Sequence, residues 1–133
     1  MFDEVRGQLA LAFCSTLKAT SGDFANKPLQ LLPFQKKLLI DVFGNIDKNG
    51  KRIIREVFML VGRKNGKSQV SAAIALYMLV MDDEYGAEIY CAANTKEQAL
   101  MVFNAACEMV RTNKTLSKML KIMPSQKRRT TQI

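Results

Sequence analysis

Apolar positions along the 133-residue chain recur with two different spacings, and the alternation between the two lays out its elements. Val5, Leu9, Ala12 and Phe13 fall at helical spacing and predict a short helix within Phe2 to Leu17. Ser21-Gly22-Asp23 and Lys27-Pro28 then mark a loop. Pro33 opens a second helical run that ends near Gly44, with proline and glycine at the two places where a helix tolerates them best. Asp47-Lys48-Asn49-Gly50 reads as a turn.

Past the turn the pattern changes. Arg55 to Val61 closes on Val57-Phe58-Met59-Leu60-Val61, the continuous apolar run of a strand buried on both faces. Gly62-Arg63-Lys64-Asn65-Gly66-Lys67-Ser68 interrupts it, and Val70 to Val80 resumes with the small and apolar residues of a buried helix. Ala87 to Ala93 predicts a second strand, followed by a helix running from Thr95 to about Arg111. Thr95 and Gln98 fit a capping box, the Thr95 hydroxyl accepting from the Gln98 amide and the Gln98 side chain reaching back. Strands alternating with helices predict an α/β fold with a parallel sheet, because each crossover helix returns the chain to the same sheet. Two strands make an incomplete sheet, and Pro124 to Ile133 stands where a third is due.

Composition narrows the chemistry. The chain has no His, which removes every Ser-His-Asp and Cys-His nucleophile and every His-bearing metal site. Cys14, Cys91 and Cys107 are odd in number, far apart and never in a C-x-x-C pair, which argues against a disulfide framework and a zinc site and points to the cytoplasm. Met1-Phe2-Asp3-Glu4 is acidic where a secretory signal is basic, and the run Ala72 to Met81 is too short to span a bilayer, so no membrane segment is expected. The net charge of +8 sits at one end: Arg111, Lys114, Lys118, Lys121, Lys127, Arg128 and Arg129 follow one another with no acid among them. Such a cluster attracts polyanions through counterion release, and it equally suits a solvated chain end. The expected organisation is a helix and loop over 1–27, a body over 28–123 and a disordered basic tail over 124–133.

Gly66-Lys67-Ser68, between a buried strand and a buried helix, has the parts of a phosphate site. Gly66 lets the backbone come close, the first helical amides point at oxygen, Lys67 sets a cation on the outer phosphates, and the Ser68 hydroxyl reaches Mg²⁺. The spacing departs from G-x-x-x-x-G-K-S, since Val61 stands where the first glycine belongs and Gly62 comes one residue late. Arg63, Lys64 and Lys67 repel one another unless a polyphosphate lies among them, although Arg63 and Lys64 also suit positions pointing to solvent.

Pro33-Phe34-Gln35, Val61 to Ser68, and Ala92-Ala93-Asn94-Thr95-Lys96-Glu97-Gln98-Ala99 together resemble the N-terminal ATPase half of phage terminase large subunits, the motors that pump DNA into capsids. The resemblance covers residues 28 to 111 and only the front of such a protein, so it implies a truncated chain. It implies a P-loop NTPase-like fold of the additional-strand, RecA- and helicase-like kind, with an incomplete parallel sheet flanked by helices. It implies ATP and Mg²⁺ as cofactors, and the cytoplasm of a bacterial host as the setting. Double-stranded DNA, a small terminase subunit and the capsid portal are the implied partners.

Residue by residue, the resemblance gives Gln35 the reading of adenine, an amide being able to accept and donate at once; a helix-surface glutamine is the plainer alternative. Gly62, Arg63, Lys64, Asn65, Gly66, Lys67 and Ser68 become nucleotide-binding, with Arg63 and Lys67 catalytic, Arg63 at the γ-phosphate, and Ser68 on the metal. Thr95 to Gln98 matches a helicase-like motif, or is a well-capped helix start. The family's acidic pair lies on a later strand, and Asp82-Asp83-Glu84, after a helix and before a turn, is a poor substitute. The nuclease domain has no counterpart here. The resemblance therefore implies a chain that binds ATP and turns it over weakly or not at all. It also implies that the two strands are separated in the sheet by later ones, and so either pair directly or keep open edges. Two alternatives stand beside it: a non-catalytic nucleic-acid-binding or interaction module working through the basic tail, and a small P-loop kinase or GTPase, which Val61 and the missing acidic strand disfavour.

Overall fold

The computed structural model describes residues 1–19, 27–60, 67–81, 88–124 and 131–132. They form the helices α1 (Glu4–Thr16), α2 (Pro33–Gly44), α3 (Lys67–Val80), α4 (Lys96–Arg111) and α5 (Lys114–Met119). The short strands β1 (Met123–Pro124) and β2 (Thr131–Gln132) pair antiparallel, Met123 opposite Gln132. The ladder therefore reaches into the segment read from sequence as a tail.

The helix starts have chemical causes. Asp3 accepts from the Arg6 amide at 3.3 Å, Thr95 from the Gln98 amide at 3.2 Å, and Asn113 from the Leu116 amide at 3.1 Å, each satisfying an amide that the first helical turn leaves without a partner. Leu32 has no side-chain acceptor. Its carbonyl instead takes the Gln35 and Lys36 amides at 2.9 and 3.0 Å, while its own amide donates to Gln35 Oε1 at 2.9 Å.

α1 packs on α2 and reaches α3, α3 packs on α4, and α4 carries α5. Leu17, Leu39, Leu76, Met109, Val70, Val110 and Cys14 are fully enclosed between them. Gly7 allows the close approach of α1 and α2, because a Cβ there would stand 3.1 Å from the Ile40 carbonyl oxygen. The Tyr77 ring meets Phe13 edge-on at 5.5 Å and Phe43 at 4.6 Å, which joins α3 to α1 and α2.

The turn after α2 forms as expected. Asp47 Oδ1 accepts from the Asn49 and Lys51 amides at 2.8 and 3.0 Å, and these bonds hold its carboxyl below the ordinary value. Gly50 closes the turn at φ 79°, with its carbonyl taken by the Arg6 guanidinium. Gly50→Ala forces a Cβ into the left-handed region and is expected to lower stability by about 1–2 kcal/mol in urea unfolding. An unchanged midpoint would mean that this turn does not need its glycine.

The strands expected at 55–61 and 87–93 are not formed in their described parts, 55–60 and 88–93. Among the described residues neither carries a ladder, and no parallel pairing occurs. The apolar side chains that made them look buried are open: Phe58 is 90%, Leu60 87% and Tyr90 83% exposed. The alternation of a strand still shows. Val57 and Met59 border a groove of about 360 Å³ with Leu38 and Val42 of α2 and Ile74 and Met78 of α3, while Phe58 and Leu60 are the more exposed. A strand's backbone groups are satisfied by neighbours in the sheet, and where the two strands are not each other's neighbours both keep open edges. No described helix is long and apolar enough to cross a membrane.

Candidate nucleotide site

The site is built on the start of α3. Lys67 is its first residue and Ser68, half-buried, its second. Val70, Ala72, Ala73, Leu76 and Tyr77 sink the helix into the core, so the direction in which its first amides point is fixed by packing. No acid lies in that first turn, which leaves the positive end of the helix dipole uncompensated by the helix's own side chains. The hydroxyl of Ser68 is a hard oxygen donor of the kind Mg²⁺ takes, so the chemistry of this position fits the metal. Val61, Gly62, Arg63, Lys64, Asn65 and Gly66 lie outside the described residues, as do Asp82, Asp83 and Glu84.

Gln35 is 2% exposed, which removes the reading of a helix-surface glutamine. Its Oε1 takes the Leu32 amide at 2.9 Å. Gln35 and Ser68 sit on different helices. Each comes one turn ahead of residues that border the apolar groove, Leu38 and Leu39 on α2 and Ser71 on α3.

At α4 the Thr95 hydroxyl is engaged as the helix cap, accepting from the Gln98 amide. Burial pushes the Cys14 thiol up to about 12 and raises Cys107 as well, so neither supplies a thiolate nucleophile near neutrality. Among the described residues no group of three His, Cys, Asp or Glu is placed to hold a metal.

α5 is the element that sequence reasoning missed. Its six residues carry one buried apolar side chain, Leu116, and the signals that identify it are the Asn113 cap and the basic residue in its last turn, Lys118.

A family model for the ATPase domain of the terminase large subunit matches residues 33–133. The terminase large subunit of Enterobacteria phage HK97 is 33% identical over 125 residues, which is 92% of this chain and 24% of that protein. The crystal structure of the HK97 large terminase superposes with a TM-score of 0.71 at 30% identity, over 94% of this chain and 24% of that one. The fold is thus of the terminase ATPase kind. The chain belongs to the family of phage terminase large subunits, within the ATPase domain, and spans about a quarter of the length of these relatives.

Proposed function

We propose that this chain is the nucleotide-holding part of a DNA-packaging motor and binds Mg-ATP through Gly62 to Ser68 and the start of α3. The observation that carries the reading is the family match over 33–133, which runs through the loop; Lys67 and Ser68 begin the core-anchored helix α3, which supports it. In this reading Gly62, Lys64, Asn65 and Gly66 bring backbone amides and charge to the phosphates. Lys67 holds the outer phosphate oxygens, and Arg63 offsets charge at the γ-phosphate. Ser68 ligates Mg²⁺, which neutralises charge on the phosphate oxygens. Gln35 reads the adenine, its carboxamide being able to accept and to donate. The expected strands 55–61 and 87–93 take their positions in a parallel sheet of the additional-strand kind. The setting is the bacterial cytoplasm, with double-stranded DNA, a small subunit and a portal as partners.

The test is thermal unfolding with and without Mg-ATP. Ligand at about 100 times its Kd adds about 2.7 kcal/mol to the folded state, which is a rise of several degrees in Tm for a domain this size. GTP is expected to shift Tm less than ATP. Ser68→Ala is expected to keep the shift due to ATP and lose the increment due to Mg²⁺. No shift from millimolar Mg-ATP on a folded chain would overturn the reading.

A further inference from the structure

α1 has two apolar faces, and α2 takes only one of them. Gly7, Ala10 and Cys14 are buried along the side that packs on α2. Val5, Leu9 and Ala12, whose spacing predicts the helix, lie on the opposite side with Thr16 one turn further on. All four are exposed, Val5 to 77% and Leu9 to 44%. Their spacing of i, i+4, i+7 and i+11 makes one stripe about three turns long. A continuous stripe of this kind is the face with which one helix packs on another.

The stripe has a fixed support. The Asp3 amide donates to the Gly44 carbonyl at 2.7 Å and the Ile46 amide to the Met1 carbonyl at 2.9 Å, which ties the start of α1 to the end of α2. Its hydroxyls are satisfied from within, Thr16 donating to the Phe13 carbonyl at 2.7 Å and neighbouring Ser15 to the Leu11 carbonyl at 2.8 Å. Covering the stripe therefore leaves no hydroxyl donor unmet. The two ends differ in charge: Asp3 and Glu4 open the helix, and Lys18 follows its last turn. This polarity selects the occupant. A second α1 laid antiparallel on the first sets Leu9 over the small Ala12 of the other copy, Val5 over Thr16, and Asp3 and Glu4 beside Lys18, with every contact made twice.

We propose that α1 pairs two copies of this chain through this stripe, antiparallel about a two-fold axis. Each stripe is used up by the other, so association stops at two. Three turns of one helix bury less than about 1,200 Å² in total, so the pair is weak and transient, half-formed on the order of 0.1 mM. The contact is separate from the nucleotide loop and does not rest on that reading.

The test is sedimentation of the full chain over about 5 µM to 1 mM, in reducing buffer so that the exposed Cys91 links no copies. The wild type is expected to pass from monomer to dimer. Val5→Gln/Leu9→Gln, at exposed positions, should stay folded by circular dichroism and raise the dissociation constant at least about tenfold, since each lost side chain counts twice. Lys18→Glu should raise it about three- to tenfold, and Glu4→Lys added to it should recover part of the loss. Phe58→Ser/Leu60→Ser, which alters the other exposed apolar segment, should leave the dimer as it is. A wild type that stays monomeric to about 1 mM overturns the proposal, as do species larger than a dimer. Unchanged association in the folded Val5→Gln/Leu9→Gln variant, or its loss in Phe58→Ser/Leu60→Ser instead, overturns it as well.

Discussion

Saturated with Mg-ATP, the 133-residue chain is expected to release phosphate at no more than a trace, about 10²–10⁴-fold below an ATPase that orients its attacking water with a carboxylate. Lys67, Ser68 and Arg63 in the proposed site hold charge that is already present in bound ATP. Interactions made equally with the ground state and the transition state improve binding without raising turnover. The step that raises turnover needs a group to position and deprotonate water. After the second expected strand the chain has two acids: Glu97, in the first turn of α4, and Glu108, paired with Arg111 at that helix's far end. Neither stands at the end of a strand beside the start of α3. Steady-state phosphate release measures this. Turnover near one per second that disappears in Lys67→Ala would show that the chain contains a catalytic acid, and Asp82, Asp83 and Glu84 would be the first to replace.

What the sequence revealed of this fold is what local chemistry determines. α2 begins at Pro33 and ends at Gly44, where proline and glycine set its bounds, and α4 begins behind the Thr95 cap. α3 starts earlier than its apolar period indicates, because Lys67, Ser68 and Gln69 are polar and join the helix without contributing to its stripe. α5 escaped because one buried leucine in six residues makes no period. The described parts of the expected strands, 55–60 and 88–93, show the limit of pattern reading. Val57, Phe58 and Leu60 have the composition of a central strand, but strandedness belongs to pairs, and the partner is not written in the segment itself. Of the site, the types of residue in the loop and the helix behind them were legible. Gln35 is a candidate through the resemblance, but its burial is not legible, since spacing alone does not separate a surface glutamine from one 2% exposed whose Oε1 takes the Leu32 amide.

The claim that the start of α3 is a nucleotide site depends most directly on Lys67. Its neighbours Val70, Ala72 and Ala73 are buried, so the helix it begins is held by the core and the substitution leaves that packing in place. In the proposed site Lys67→Ala removes a charged contact to phosphate, which would be worth about 1.5–3 kcal/mol, or roughly 10- to 150-fold in affinity. Isothermal titration of Mg-ATP into the wild-type chain and into Lys67→Ala, with helix content matched by circular dichroism, measures the difference. The account predicts binding by the wild type and a loss of at least tenfold in the variant. Equal affinity in two equally folded proteins would contradict it.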